Sequence, residues 1–245
     1  MPVDKAFALF DMARLYDAFN HHGEDGDFYE TFASEPCHIL DVGCGTGSVT
    51  VRLAKRQHMV TGVDPADGML QVARTKDPEG RVHWVQAPAA EFTLPDHFDL
   101  AIMTGHVFQV FLDDDETLAA LRNIRRHLEP GGRLIIESRN PLMRAWEGWT
   151  REKACERRVV EGVGPVDVYY QIKNVEGEHV TFDAVFTIQE TGETLVSESR
   201  LRFAPVEAIQ RLLSTAGFAK VELLGWWDRT PYSVTSHEII ANAHA

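Results

Sequence analysis

Three glycines, at 43, 45 and 47, follow an acid in the stretch Cys37-His-Ile-Leu-Asp41-Val-Gly43-Cys44-Gly45-Thr-Gly47. Cys37 to Val42 is a short apolar run ending beside Asp41, as a buried parallel strand would be, and Val49 and Leu53 continue as a helical pattern. Strand, glycine-rich turn and helix let a ligand press on bare backbone at a helix N-terminus, where N–H groups lack partners. The plain alternative is a tight turn with no ligand. Three glycines so close together argue against it, because each costs conformational entropy that a simple turn needs only once.

The spacing selects the ligand. A dinucleotide fingerprint, G-x-G-x-x-G/A, fits Gly43 and Gly45 but meets Ser48 at its third position. No Gly-Lys-Ser/Thr occurs, so there is no phosphate lysine. Asp41-x-Gly43-x-Gly45-x-Gly47 instead closely resembles motif I of class I S-adenosylmethionine (SAM)-dependent methyltransferases, whose loop wraps the methionine end of SAM. The resemblance implies SAM as cofactor, held by Asp41, Gly43, Cys44, Gly45 and Gly47. A nicotinamide oxidoreductase is the enzymatic alternative, and a non-catalytic SAM-binding regulator is another.

A second acid, Asp64, lies 19 residues past Gly45 at the end of an apolar run. A carboxylate there can accept hydrogen bonds from both ribose hydroxyls. Its structural alternative is an N-cap for the next helix, with Pro65 as the first helical residue. Beyond it, the resemblance extends through Gly62-Val-Asp64-Pro65 and Met69-Leu70, where Met69 would pack on adenine, although a core methionine is the commoner reading. Leu128-Glu-Pro-Gly-Gly-Arg-Leu134 is similar to the family's L-x-P-G-G-x-L approach to strand five. Pro88 departs from the family, which often has an adenine-binding Asp there, so adenine falls to backbone near Ala87 and Ala89, or to Glu91.

Methyl transfer is an in-line displacement at a sulfonium carbon, so the protein must align, exclude water and take a proton from the acceptor. The loop after strand four, Thr104-Gly105-His106-Val-Phe-Gln109, faces the glycine loop in this family's architecture. Thr104 and Gly105 are expected at the cofactor, His106 as general base, and Gln109 at the acceptor. A histidine that merely orients the loop is the bland alternative. Arg14 and Tyr16, in an N-terminal helix, could close over the SAM carboxylate. Arg139 and Asn140, just past strand five, suit an anionic acceptor group or else cap the strand end. Trp146, Trp149, Trp226 and Trp227 are expected in the core or at an interface.

The elements that position these residues follow from periodicity. Residues 4–19 are amphipathic and helical, 20–27 a polar loop containing His21 and His22, and 28–33 a helical turn. Alternating βα units run from 37 to 138, with strands at 37–42, 59–63, 82–85, 98–103 and 133–137, and a helix at 115–128 stopped by Pro130-Gly-Gly. Asp113-Asp-Asp115 could ligate Mg²⁺, but capping explains it more simply, and no metal is expected. Three alternating runs between 139 and 203 predict an antiparallel meander, followed by a helix from Pro205 to Gly217 and strands at 218–227 and 238–242. The expected class is α/β. The resemblance implies a Rossmann-like seven-stranded sheet of order 3-2-1-4-5-7-6, strand seven antiparallel, with a β insertion after strand five.

Three divisions are expected: a helical cap (1–36), a SAM-binding domain (37–138 and 204–245) and the insertion (139–203). The insertion resembles that of glycine and nucleotide-aminosugar N-methyltransferases, where it roofs the acceptor and often supports dimerisation, which admits a homodimer here.

Composition narrows the partners. The 245 residues carry 44% hydrophobic side chains, 25% charged ones and a net charge of −13. Such an acidic chain repels polyanions, so nucleic acid is disfavoured as a partner and a small-molecule acceptor is expected. No apolar run is long enough to span a membrane and no signal-peptide core is seen in the opening residues, so a cytoplasmic location is expected. Cysteines at 37, 44 and 155 suit neither a disulfide framework nor a zinc site.

Overall fold

Apolar runs alternating with amphipathic stretches fold as a parallel sheet clad by helices, in a computed structural model that describes residues 10–20, 23–33 and 35–245. The seven-stranded sheet contains β1 (His38–Val42), β2 (Met59–Asp64), β3 (Val82–Gln86), β4 (Phe98–Met103) and β5 (Leu128–Arg139), then β10 (Lys220–Leu224) and β11 (Glu238–His244). Its order is β3-β2-β1-β4-β5-β11-β10, with β11 antiparallel to both neighbours. This is the Rossmann-like order expected from the sequence.

Helices α1 (Phe10–Phe19), α2 (Glu24–Glu30), α3 (Ser48–Lys55), α4 (Asp67–Lys76), α5 (Asp114–Arg126) and α7 (Val206–Ala216) surround the sheet. One face buries Leu121, Ile124, Ile209, Leu212 and Leu213 against Leu134 and Ile136; the other buries Phe28, Tyr29, Val49 and Leu53 against Ile39, Ile102 and Ile135. The acidic triplet caps α5: Asp113 Oδ1 accepts the Glu116 N–H at 2.8 Å. Among the described residues no helix is long and apolar enough to cross a membrane.

The second sheet is antiparallel, β6 (Glu156–Val160), β7 (Gly164–Glu176), β8 (His179–Ile188) and β9 (Thr194–Arg202) in that order, preceded by the short α6 (Arg151–Ala154). The sequence shows only the last three strands. Glu-Arg-Arg-Val-Val carries no alternation because β6 is an edge strand with a single buried residue, Val160.

Two boundaries also move. Glycine and proline at 130–132 lie within β5, opposite a register shift in β4, rather than forming a separate stop. The polar loop ends early, since α2 begins at Glu24. His21, His22 and residues 4–9 of the expected first helix lie outside the described residues.

Helix α1 lies between the two sheets. Ala13 and Tyr16 pack on Ala66, Met69 and Val72 of the α4 region. Met12, Leu15 and Phe19 pack on Val160, Val166, Val168 and Phe186 of the insertion. The same helix is tied to the glycine turn: Thr46 Oγ1 donates to Asp17 Oδ1 at 2.5 Å, and Lys76 donates to Asp17 and, at 2.8 Å, to Ser48.

Candidate cofactor and acceptor site

All three glycines after β1 are left-handed, with φ of 75°, 53° and 73°. They serve different ends. A Cβ on Gly47 would lie 2.5 Å from Trp84 and 3.0 Å from Ala73, so Gly47 lets α3 close onto the sheet. A Cβ on Gly45 would meet nothing within 4 Å. Gly105, after β4, is likewise left-handed (φ 64°) and faces open space. Strands β1 and β4 are neighbours where the sheet order reverses, so these two bare backbones flank the crevice in which such sheets bind ligands.

Asp64 sits against this loop, 7% exposed. Its Oδ2 accepts the Gly45 N–H at 2.9 Å and its Oδ1 the Ala66 N–H at 2.8 Å. Burial raises this carboxyl to about 6, opposed by those two hydrogen bonds. The capping alternative fails in detail. Ala66 is the N-cap of α4 and Asp67 its first residue, so Pro65 stands outside the helix.

Several predicted cofactor residues turn inward. Asp41 is wholly buried and accepts from Thr50 Oγ1 at 2.6 Å, joining β1 to α3. The Cys44 thiol is buried close to Gly62, and burial pushes it well above the usual thiol range; only its backbone shapes the loop. Met69 is buried beneath α1 with Ala13 and Tyr16, the core alternative. Of the backbone groups offered to adenine, the Ala87 N–H donates to Asp64 O at 3.2 Å and the Ala89 carbonyl accepts from Asn123 at 2.9 Å. Pro88 is exposed, and its carbonyl accepts from Glu91 and Phe92 N–H. Thr104 is buried at the end of β4, where its carbonyl accepts the Val107 N–H.

The two α1 residues part company. Arg14 donates to the Glu161 carbonyl at 2.5 Å, in the turn after β6. Tyr16 faces the crevice: its hydroxyl feels Tyr170, Arg139 and Asp64, and burial raises it to about 12.

On the far side, Arg139 ends β5 with its guanidinium 5.3 Å from the Trp149 ring centre and Nη1 2.9 Å from Gln109 Oε1. Gln109, completely buried, donates in turn to the Arg202 carbonyl at 3.2 Å. Enclosure lowers Arg139 from its usual value, while Glu238, Glu137, Tyr16 and Tyr170 oppose that shift. Trp149 borders this region while packing, as expected, on the buried cluster of Phe182 and Phe203, and Gln109 positions Arg139. Asn140 does not join them. Its Nδ2 donates to the Val234 and Ser236 carbonyls at 3.1 and 2.7 Å, and its Oδ1 accepts the Leu142 N–H, so it caps the strand end. His106 lies beside Arg139's strand: Nε2 is 3.0 Å from Glu238 Oε2, and its backbone N–H donates to Glu137 Oε1 at 3.0 Å.

Comparison with known proteins converges on one family. Residues 39–132 match the family described as "Methyltransferase domain". These residues are a methyltransferase domain. Cypemycin N-terminal methyltransferase from Streptomyces sp is 24% identical, over 82% of this chain and 80% of that protein. Glycine N-methyltransferase of Rattus norvegicus is 37% identical, but over only 42% of this chain and 41% of its own length. The structure of SAM-bound CalS10, an amino pentose methyltransferase from Micromonospora echinaspora, shares the fold with a TM-score of 0.65, at 20% identity and covering 96% and 91% of the two chains.

The methyltransferase is SAM-dependent, and the nicotinamide alternative falls with the family match. Its crevice fits that group: open backbone at Gly45 and Gly105, and a buried carboxylate at Asp64 with acceptor capacity beyond its two N–H partners. Three residues of the far side are invisible to motif reading: Glu137, Glu238 and Tyr170. The first two had a signal, an acid interrupting or opening the apolar runs Leu134-Ile-Ile-Glu137 and Glu238-Ile-Ile, because a buried carboxylate needs a purpose.

Proposed function

We propose that this methyltransferase methylates an amine nitrogen of a small molecule, with His106 as general base and Arg139, Tyr16, Tyr170 and Trp149 around the acceptor. In this reading Gly45 and Gly105 lie against SAM and Asp64 accepts from its ribose. When bound, SAM supplies a sulfonium methyl group whose C–S bond breaks with its electron pair passing to sulfur as the new bond to nitrogen forms.

The observation that carries the nitrogen reading is the acidic set Glu137 and Glu238 around the His106 imidazole. An alkyl amine is protonated near neutrality, as lysine is, so it arrives as a cation and must lose a proton before its lone pair can attack. Two carboxylates attract that cation, and the imidazole takes its proton. A hydroxyl acceptor has no charge for such a set to attract. The names of two relatives, an N-terminal and a glycine N-methyltransferase, support the same choice. A net charge of −13 supports a small molecule over a polyanion as acceptor.

The test is a screen of amino acids, amino sugars and peptide N-termini with SAM carrying a deuterated methyl group, read by mass spectrometry. Labelled N-methyl products are expected. Transfer only to hydroxyl or carbon acceptors would overturn the nitrogen reading.

A further inference from the structure

Three elements converge on the loop after β4, which carries His106: α2 brings Tyr29, β5 brings Glu137 and β11 brings Glu238. His106 is left-handed (φ 61°, ψ 27°) and follows a left-handed Gly105. A non-glycine residue is strained there, so something must hold it. Glu137 does: its Oε1 accepts the His106 N–H at 3.0 Å, and its Oε2 accepts the Tyr29 hydroxyl. Glu137 is 1% exposed, in a strand whose neighbours Ile135 and Ile136 are fully buried and apolar. Packing alone would be served by another such side chain, without the cost of a buried acid.

We propose that Glu238 and Glu137, the latter braced by Tyr29, are positioning residues that fix His106 as a base acting through Nδ1; this rests on the nitrogen-methylation reading above. A carboxylate only accepts, so the 3.0 Å contact with Glu238 places the imidazole proton on Nε2 and the lone pair on Nδ1. Nδ1 lies 3.9 Å from Glu137 Oε1, too far for a hydrogen bond, so it is not consumed by that acid. The ring keeps 17% of its side-chain surface open.

In the step itself, Nδ1 takes one proton from the ammonium of the acceptor, leaving a neutral amine and an imidazolium. The positive ring then lies between two carboxylates. Attack by the amine lone pair leaves the product nitrogen cationic, and the imidazolium proton passes to solvent. Among the described residues, Glu137 on β5 and Glu238 on β11 face this ring together with the backbone of its own loop. Tyr29 on α2 reaches Glu137, and Arg139, the cross-strand partner of Glu238, balances part of the charge.

Two measurements decide it. The first needs no acceptor: long-range ¹H–¹⁵N correlation of the imidazoles above neutrality, with the His106 signal assigned by its loss in His106→Gln. The Nε2–H tautomer is expected in the wild type and a mixed tautomer in Glu238→Gln. An Nδ1–H tautomer in the wild type would overturn the proposal. The second follows methylation of an amine found in the screen. Glu238→Gln is expected to lower kcat roughly ten- to a hundredfold, with SAM affinity unchanged and the acid limb of kcat/KM moved to lower pH, because a negative charge beside the ring is gone. Glu238→Asp should restore the position of that limb. A uniform loss of rate with no movement of the limb would make Glu238 merely structural. Should the wild type methylate no amine, the nitrogen reading falls, while the tautomer spectrum still decides how the imidazole is held.

Discussion

The β1–β2 side of the crevice offers main chain and one acid, whereas the β4–β5–β11 side offers side chains drawn from four elements and the insertion. Gly45, in the turn after β1, and Asp64, at the end of the adjacent β2, stand 19 residues apart and are joined by a hydrogen bond of 2.9 Å. Arg139, by contrast, depends on Gln109, Trp149, Tyr16 and Tyr170, whose positions span most of the chain. A shared ligand needs only bare backbone and a carboxylate, so that half can be written in a short local motif. Recognition of a particular acceptor needs side chains converging from long range, which the second sheet and α1 supply.

Breaking the first half should cost most. Gly47→Ala places a methyl group 2.5 Å from Trp84 in a left-handed residue, and is expected to cost roughly 2–5 kcal/mol of stability in urea denaturation. Gly45→Ala, where nothing lies within 4 Å, should cost only roughly 1–2 kcal/mol while weakening SAM binding. Equal stability losses would erase the distinction between the two glycines. Asp64→Ala should weaken SAM binding roughly 10- to 100-fold by calorimetry, since ribose hydroxyls lose their acceptor. An unchanged affinity with the fold intact would remove Asp64 from the cofactor side.

The second half responds more softly. Asn140→Ala is expected to lower stability by roughly 1–2 kcal/mol, through the Val234 and Ser236 carbonyls left without their donor. Arg139→Lys should raise the acceptor KM several-fold with SAM affinity unchanged, because an ammonium cannot reproduce the flat contact with Trp149. The smallest effect is a pH dependence. Asp64 keeps its proton up to about 6 in the folded chain against 3.8 ordinarily, so this group favours the folded state at low pH and that contribution is lost as pH rises from about 4 through 6. Ribose donors favour the ionised carboxylate, so the Tm increment produced by SAM should grow through that window, and Asp64→Asn should flatten it.

Much of the scaffold is legible in the sequence because its signals are local. Buried parallel strands appear as apolar runs, and the glycines mark the turn after β1 directly. The edge strand β6 is not legible, since partnering on one side leaves its side chains charged and exposed. Arg139 and Asn140 show where local reading stops. Both follow strand five and both are polar, yet one faces Trp149 and the other is spent on carbonyls at 234 and 236 that only the tertiary fold brings near. Arg14 and Tyr16 divide in the same way, two residues apart on one helix that packs on α4 with one face and on the insertion with another. Met69 and Cys44 sit in motif positions but point into packing, a direction that spacing alone does not encode.

Helix α1 touches the glycine turn through Asp17 and the insertion through Arg14 and Phe19, with Tyr16 between them. One ten-residue helix therefore ties the glycine turn to the second sheet, so a substitution that displaces it would disturb both at once.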